Sequence, residues 1–160
     1  MIRVQREDFD LGAELAALTR GRHDIGGLCS FIGLVRDMAP IDGETTGISA
    51  MTLEHYPGMT EKMLARIEAE AQERWPLSAS LIIHRYGRME PGEQIVLVAA
   101  ASAHREAAFE ACHFLIDWLK TKAPFWKVES TDDGRAAWVA ARDSDDDAAA
   151  RWQRSDEAAE

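Results

Sequence analysis

Three lysines lie close together in the segment LKTKAPFWK at residues 119–127. Lys120 and Lys122 end a stretch with helical periodicity, and Lys127 follows after Pro124 turns the chain. We expect this reversal to bring Lys120 near Lys127, where each ammonium group would lower the pKa of the other. A lysine tuned in this way can act as a nucleophile or a proton donor near neutral pH. For Lys122, favourable placement at a helix C-terminus is an equally good interpretation.

A second group of cations lies at the other end of the same predicted helix, in the segment SAHRE. There an apolar strand ends and the helix begins, so free N–H groups and the positive end of the helix dipole accompany His104 and Arg105. This combination predicts a phosphate or carboxylate site. Arg36, which closes the apolar segment GLVR, is a further candidate for an anion contact, with an ordinary surface arginine as the alternative.

The length of this helix separates the two groups of cations. His104 and Lys120 are 16 positions apart, which at about 1.5 Å per residue places them roughly 24 Å from each other. One small substrate cannot contact both ends within one chain. Either the two sites are unrelated, or one site is shared between two copies related by a twofold axis, which would create two equal sites. We expect the shared site.

The composition argues against several classes of protein. The chain has 160 residues, with 18 Lys and Arg against 28 Asp and Glu, and this acidic balance disfavours nonspecific nucleic-acid binding. The N-terminus carries no apolar signal segment, and no apolar run reaches the roughly 18 residues of a membrane helix, so we expect a cytoplasmic protein. Cys29 and Cys112 lie in apolar runs without metal-type spacing, which predicts buried, reduced thiols. We expect neither a metal nor a cofactor.

Hydrophobic periodicity predicts an α+β fold with the element order β-α-β-β-α-β-β-α-β-β-α, because hairpins are mixed with long helices. Helices are predicted at residues 11–18, 59–75 and 104–123, and another is predicted to begin near Ser144. Strands are predicted at residues 2–4, 27–36, 48–56, 79–87, 93–103, 125–131 and within 132–139. The helix at 59–75 carries one apolar stripe, formed by Met59, Met63, Ile67, Ala71 and Trp75.

The remaining segments are predicted to be connections. Residues 37–47 are polar and contain proline and glycine, which predicts a loop. Residues 88–93 contain Pro-Gly between two strands, which predicts a hairpin turn. We expect a single domain over residues 1–152, followed by an acidic tail at 153–160 that frays.

Several longer motifs occur together in this chain, namely LEHYPGM, IHRYGRMEPGE, SAHREAAFEA and DWLKTKAPFWKVE. These motifs follow one another in this order, and the segment from about residue 26 to 152 resembles the large, catalytic subunit of molybdopterin synthase. The resemblance implies an α/β hammerhead-like domain with an additional antiparallel β-sheet. It also implies a homodimer in which each end binds one small ubiquitin-like sulfur-carrier subunit, giving a heterotetramer.

The resemblance also implies an activity. Members of this family are sulfurtransferases of molybdenum cofactor biosynthesis, and they convert cyclic pyranopterin monophosphate into molybdopterin. The sulfur comes from the thiocarboxylate at the C-terminal Gly-Gly of the carrier, so the large subunit needs no thiol nucleophile. It does need cations for the substrate phosphate and the carrier tail, and groups that move protons.

Site residues are implied by the same resemblance. Lys120 is expected to be catalytic through positioning, charge stabilisation or transient acyl attachment, and Lys127 through substrate binding and proton transfer. The substrate-binding positions are expected to be Leu34, Val35, Arg36, His104, Arg105, Lys120, Lys127, Val128, Glu129 and Arg142. Leu34 stands where relatives can have lysine; nothing is lost if that lysine acts through its backbone, whereas Arg36 must do more if it acts through its charge. Val128 stands where a basic residue is common, which indicates a backbone or packing contact at this position.

Two other functions compete with this interpretation. A non-catalytic scaffold that binds a ubiquitin-like sulfur-carrier tail would need a docking groove, but it would not need both Lys120 and Lys127. A phosphohydrolase would usually have a metal–carboxylate cluster or an evident nucleophile, and the sequence shows no motif for either. The joint presence of the two lysines with His104 and Arg105 favours the enzyme.

Overall fold

The computed structural model describes residues 1–41, 44–131, 136–139 and 149–152. The elements in chain order are β1 (Ile2–Gln5), α1 (Leu11–Thr19), β2 (Gly27–Leu34), β3 (Met38–Ile41), β4 (Glu44–His55), α2 (Met59–Arg74), β5 (Leu77–Arg85), β6 (Gly87–Met89), β7 (Gln94–Ser102), α3 (Arg105–Lys122), β8 (Phe125–Thr131) and β9 (Ala136–Val139). Residues 149–152 are helical. None of the helices within these ranges is long and apolar enough to cross a membrane.

The first sheet has the strand order β1-β5-β7-β2, with β1 parallel to β5 and the other pairs antiparallel. Alternate residues of β5 and β7 face opposite sides, as the period of a strand requires. Ile82 and Val98 pack under α2 and α3, whereas Ile83 and Leu97 pack under α1. This sheet is therefore covered by helices on both faces.

Helix α3 crosses the first sheet and connects it to the second. Nine of its 18 residues are buried, and it packs on the central strand β7, where Ala99, Ala100 and Ala101 are fully buried. At about 1.5 Å per residue, α3 is roughly 27 Å long. It ends at Lys122, with Ala123 as an extended C-cap, because the residue before Pro124 disfavours the helical conformation.

The second sheet has the order β3-β4-β8-β9, and β6 also pairs with β4. All of its pairs are antiparallel, and residues directly opposite each other share a face of the sheet. Lys127 is opposite Leu53, and Glu129 is opposite Met51. Met51 and Leu53 are buried with Val35, so the two charged residues of β8 point toward the inner side of this sheet.

The structure confirms the α+β fold, the short first helix and the two long helices, but the connections differ from the prediction. The segment predicted as a loop at 37–47 contains β3 and the first residues of β4, which pair in antiparallel register. Pro40 hid this strand from the sequence pattern, yet proline is tolerated because β3 is an edge strand. The predicted turn at 88–93 likewise begins with the end of β6, a strand too short to show alternation.

Two further expectations need correction. Met59 is 53% exposed, and the buried side of α2 consists of Thr60, Leu64, Ile67 and Ala71. Thr60 can be buried because its hydroxyl accepts a hydrogen bond from the Tyr56 N–H and donates one to the Pro124 carbonyl. Of the two free thiols, Cys112 is buried, which raises its pKa, whereas Cys29 is only half-buried. Ser144, the tail at 153–160 and Arg142 lie outside the described residues.

Candidate active site

The end of β2 is shaped by a β-bulge. Gly33 is opposite Val96 of β7, but Leu34 is opposite Gln94, so one residue of β7 is left without a partner. Bulges bend a strand and redirect the side chains that follow. Beyond the bulge, the Val35 N–H donates to the Glu93 carbonyl at 2.9 Å, and the Val35 carbonyl accepts from the Gly92 N–H at 2.8 Å. These two bonds hold the backbone immediately before Arg36.

A small cavity of about 50 Å³ lies where β2, β4, β7 and β8 meet. We call it the inner cavity, and its lining residues are Leu34, Val35, Arg36, Met51, Ile95, Lys127 and Glu129. It adjoins a cleft of about 470 Å³, the adjoining cleft, which is lined by Val35, Arg36, Asp37, Pro91 and Gly92. Val35 and Arg36 line both spaces.

Lys127 and Glu129 form an ion pair inside this cavity. They are two residues apart on β8, which places both side chains on one face of the strand. The Glu129 side chain is 6% exposed and the Lys127 side chain 31%, so the ammonium group is partly shielded from water. Opposite charges attract more strongly in such surroundings than in bulk water. The pair can hold an anion near Lys127 and can exchange a proton with a bound molecule.

The strand that carries Lys127 begins in the apolar core. The Phe125 ring stacks on His84 with 3.7 Å between ring centroids and 14° between planes. His84 is buried, and burial lowers its pKa to about 4. The imidazole is therefore neutral at pH 7, and it fills a buried position.

The other group of cations lies at the N-terminus of α3. His104 is the N-cap residue and makes no capping bond with its side chain, and Arg105 is the first helical residue. Both side chains are exposed in a cleft of about 800 Å³, which we call the outer cleft. The residues lining the outer cleft are Gly26, Ala103, His104, Arg105, Glu106, Phe109 and Glu110. Helix N–H groups, the Arg105 guanidinium and an imidazole N–H of His104 can donate hydrogen bonds in this cleft, which makes it suitable for a phosphate.

Two glycines allow β2 to begin against this end of α3. A Cβ atom at Gly26 would lie 2.2 Å from the Ala103 carbonyl oxygen, and one at Gly27 would lie 3.2 Å from the Arg105 Cα. The first distance is far too short for two non-bonded heavy atoms. Gly26 is therefore required for the close approach that forms one wall of the outer cleft.

The structure brings together only part of the predicted site. Leu34, Val35, Arg36, Lys127 and Glu129 line the inner cavity, whereas His104 and Arg105 line the outer cleft at the far end of α3. Val128 is opposite Thr52 and so points to the other face of the second sheet. Lys120 is exposed in the last turn of α3 and does not belong to the described residues that line the inner cavity.

Some lining residues were not predicted from the sequence. Met51 and Ile95 provide the apolar part of the inner cavity, and Pro91 and Gly92 line the adjoining cleft. The Pro-Gly pair was interpreted only as a turn. Gly26 carried a usable signal, because two consecutive glycines at the start of an apolar strand often mark a close backbone approach. The strand that follows, β2, is only half-buried or exposed along its length. Within the described ranges, no group of three or more His, Cys, Asp or Glu side chains could hold a metal ion.

Comparisons with known proteins agree on one family. Residues 4–122 match the family model described as MoaE protein. The molybdopterin synthase catalytic subunit of Mesorhizobium japonicum is 56% identical over 157 residues, which cover 98% of this chain and 95% of that protein. The solved structure of the molybdopterin biosynthesis MoaE protein from Burkholderia ambifaria MC40-6 is 52% identical, with a TM-score of 0.80, and the match covers 96% of this chain and 97% of that one.

A more distant structure supports the fold alone. It is a complex of subunits 1 and 2 of the molybdopterin-converting factor from Helicobacter pylori 26695, and the matching chain is 18% identical, with a TM-score of 0.71. That match covers 88% of this chain and 91% of the other. The family and the enzymatic role that the motifs predicted are confirmed by the closer relatives. This chain belongs to the MoaE family, the catalytic subunits of molybdopterin synthase.

Proposed function

We propose that the inner cavity is the place where this molybdopterin synthase catalytic subunit transfers sulfur to cyclic pyranopterin monophosphate. The observation that carries the proposal is the shielded pair of Lys127 and Glu129, which faces Arg36 in one cavity. Arg36 supplies a fixed cation for the substrate phosphate. Lys127, held by a carboxylate, supplies a proton where a hydroxyl group leaves the substrate.

Each sulfur transfer can then be written with its atoms in balance. The thiocarboxylate sulfur of the carrier attacks a substrate carbon, and the departing hydroxyl takes a proton from Lys127 and leaves as water. A second water hydrolyses the resulting thioester, which leaves the sulfur on the pterin and a carboxylate on the carrier. Two carriers are consumed for the two sulfurs. Lys120 stabilises the charge that develops on the carrier carbonyl or takes up its acyl group.

The size of the inner cavity supports a site shared between two copies. Cavities that hold small molecules usually measure about 300–1,000 Å³, and the inner cavity measures only about 50 Å³. It accommodates the reacting atoms, while the rest of the substrate needs the adjoining cleft and a further wall. His104 and Arg105, which are too far away in the same copy, can provide that wall from a second copy.

A small-subunit partner accompanies this proposal. The Helicobacter pylori complex contains two different subunits, and one of its chains shares the fold described above. For this chain we propose a ubiquitin-like carrier whose C-terminal Gly-Gly thiocarboxylate enters the adjoining cleft, and a heterotetramer of two catalytic and two carrier subunits. The cytoplasmic location and the single-domain boundary at residue 152 stay predictions.

The first experiment is a reconstitution. Purified protein is mixed with a thiocarboxylated small carrier and cyclic pyranopterin monophosphate, and the product is measured as its fluorescent oxidised derivative. We expect product with the wild type and with Lys122→Ala, a matched lysine of the same helix end, but none with Lys120→Ala. A carrier that binds tightly without any product from the wild type would favour the scaffold over the enzyme.

The shared site is tested by mixing variants. His104→Ala and Lys120→Ala are each expected to be inactive, and a mixture that exchanges subunits should recover about a quarter of wild-type activity. The fraction follows because half of the dimers are mixed and each mixed dimer has one intact site. A mixture of Lys120→Ala with Lys127→Ala should recover almost nothing, because one copy supplies both lysines to each site and every mixed dimer has two damaged sites. No recovery in the first mixture, with exchange verified by mass spectrometry, would contradict the shared site.

A further inference from the structure

A buried arginine stands at the end of β5, outside both groups of site residues. The Arg85 side chain is 8% exposed and uses all three of its nitrogens. Its Nε donates to the Arg6 carbonyl at 3.1 Å, its Nη1 to the Gln94 carbonyl at 2.8 Å, and its Nη2 to the Glu93 carboxylate at 3.1 Å. Asp8 is the other acidic neighbour, 3.5 Å from Nη1. A buried guanidinium held in this way is an anchor of fixed position.

Glu93 connects the Arg85 guanidinium to the turn at residues 90–93, which we call the 90–93 turn. Its second carboxylate oxygen accepts the Glu90 N–H at 2.6 Å, and its own N–H donates to the Glu90 carbonyl at 3.0 Å. The hydrogen bond from the Glu90 backbone, followed by the contact with Arg85, keeps the pKa of Glu93 below its usual value. Gly92 adopts a φ of +88°, which few side chains tolerate. The turn is thus closed by backbone and by side chain.

The 90–93 turn also holds Val35, the residue before Arg36. The Glu93 carbonyl and the Gly92 N–H make the two backbone hydrogen bonds to Val35, and Val35 is buried beside Met51 and Met89. Pro91 and Gly92 also line the adjoining cleft with Arg36. A continuous path of hydrogen bonds therefore runs from Arg85 through Glu93 to Val35, and it ends one residue before the proposed phosphate ligand.

We propose that Arg85 and Glu93 are positioning residues for Arg36. Their ion pair fixes the 90–93 turn, and the turn fixes, through Val35, the point from which the Arg36 guanidinium reaches the substrate phosphate. Neither residue lines the inner cavity, so their effect on the reaction is transmitted and not direct. The inference rests on the proposed function, in which Arg36 binds the phosphate. Displacing a binding group by about 1 Å can cost up to two orders of magnitude in rate.

The test uses Glu93→Gln in the reconstituted enzyme. The amide oxygen can still accept the Glu90 N–H, but the charge that holds Arg85 is lost. We expect the KM for cyclic pyranopterin monophosphate to rise about five- to tenfold, with kcat and the KM for the carrier within about twofold of wild type. The matched control is Glu90→Gln, which removes the charge of a carboxylate in the same turn that pairs with exposed Arg88. The control should leave all three constants unchanged.

A double-mutant cycle separates positioning from general support. If Glu93 acts through Arg36, Glu93→Gln should change the KM no further in an Arg36→Ala background, because coupled residues are not additive. Arg85→Lys, which keeps the charge but not the planar fork, should show the same dependence on Arg36. Because Glu93→Gln removes no buried atoms, it remains informative even if Arg85→Lys does not fold.

The outcomes distinguish this inference from the proposed function. Equal constants for Glu93→Gln and Glu90→Gln, or the same rise in KM with and without Arg36, would overturn the positioning role. An Arg36→Ala variant with an unchanged KM would instead refute the phosphate-binding role of Arg36, and with it the basis of the proposal. A rise in KM that disappears in the Arg36→Ala background supports both.

Discussion

The inner cavity measures about 50 Å³ and holds the Lys127 ammonium against the buried carboxylate of Glu129, whereas the outer cleft measures about 800 Å³ and leaves His104 and Arg105 exposed. Both gather cations in a chain with a net charge of −10. Charges interact strongly where water is excluded and are screened where it is not. The enclosed region therefore suits the making and breaking of bonds, and the open region suits the capture of an anion.

A large effect on the reaction is expected from a substitution in the enclosed region. Lys127→Ala should lower kcat/KM by about a thousandfold, or roughly 4 kcal/mol, because it removes both a proton donor and a fixed charge. Steady-state kinetics in the reconstituted enzyme measure it. Lys62→Ala, on the exposed side of α2, is the control. A loss of less than tenfold would show that the enclosed cation is not the centre of the reaction.

The core beneath the enclosed region should show a pH dependence of stability. Burial lowers the pKa of His84 to about 4, whereas an unfolded histidine titrates near 6.5. As the pH falls below about 6.5, the unfolded state takes up the proton first, so stability is lost until the pH reaches about 4. Between pH 7 and pH 5, this histidine should lower the free energy of unfolding by about 2 kcal/mol.

Urea unfolding at the two pH values, compared between wild type and His84→Gln, isolates that contribution. The variant should lose correspondingly less stability between pH 7 and pH 5, although it starts lower because the stacking on Phe125 is gone. His23→Gln, at an exposed histidine, is the control. An equal pH dependence in wild type and His84→Gln would contradict the prediction.

At the open region, a smaller effect on binding is expected. Arg105→Ala should raise the KM for the pterin substrate about tenfold, or roughly 1.4 kcal/mol, with little change in kcat, because one charged hydrogen bond to phosphate is lost. The effect should shrink with added salt. Arg66→Ala, at an exposed arginine of α2, should change neither constant. A drop in kcat as large as that of Lys127→Ala would erase the distinction between the two regions.

The smallest effect concerns the carboxylates of the outer cleft. Glu106 lies beside Arg105 in the first turn of α3, where it competes with an anionic ligand. Glu106→Gln should lower the KM for the substrate about twofold at low salt, since exposed charges contribute well under 1 kcal/mol. In about 1 M salt, where the screening length is roughly 3 Å, the difference should vanish. A change that persists at high salt would indicate a direct contact with the substrate.

The same contrast explains what could be predicted from the sequence. Lys127 and Glu129 share a strand that the sequence predicted, and the period of two places them on one face of it. Residues 104 and 105 were predicted at a helix end from a clear strand-to-helix transition. The walls of the inner cavity come from strands far apart in the chain. Met51 lines the inner cavity because β4 pairs with β8, and Ile95 lines it because of the bulge in β7. No local sequence pattern predicts either feature.

Errors in the fold have a similar origin. β3 and β6 exist because β4 offers backbone partners to both, and their own residues have little strand preference. The buried side of α2 differs from the predicted apolar stripe because it includes Thr60, a polar residue. Its hydroxyl is hydrogen-bonded to backbone groups outside the helix, the N–H of Tyr56 and the carbonyl of Pro124. Hydrogen bonds between different segments of the chain determine these features of the fold, and such bonds cannot be read from a single sequence.

Helix α3 also provides a known reference distance within each copy of the protein. Because half of its residues are buried against the first sheet, its two ends keep a constant separation. Spectroscopic labels at exposed Glu110 and Lys122, 12 residues apart, should report about 18 Å within one copy. That known distance calibrates the measurement. When Lys122 alone carries a label, any distance that is measured must lie between two copies of the protein. The helix that divides the cations into two groups thus makes the geometry of an assembly measurable in solution.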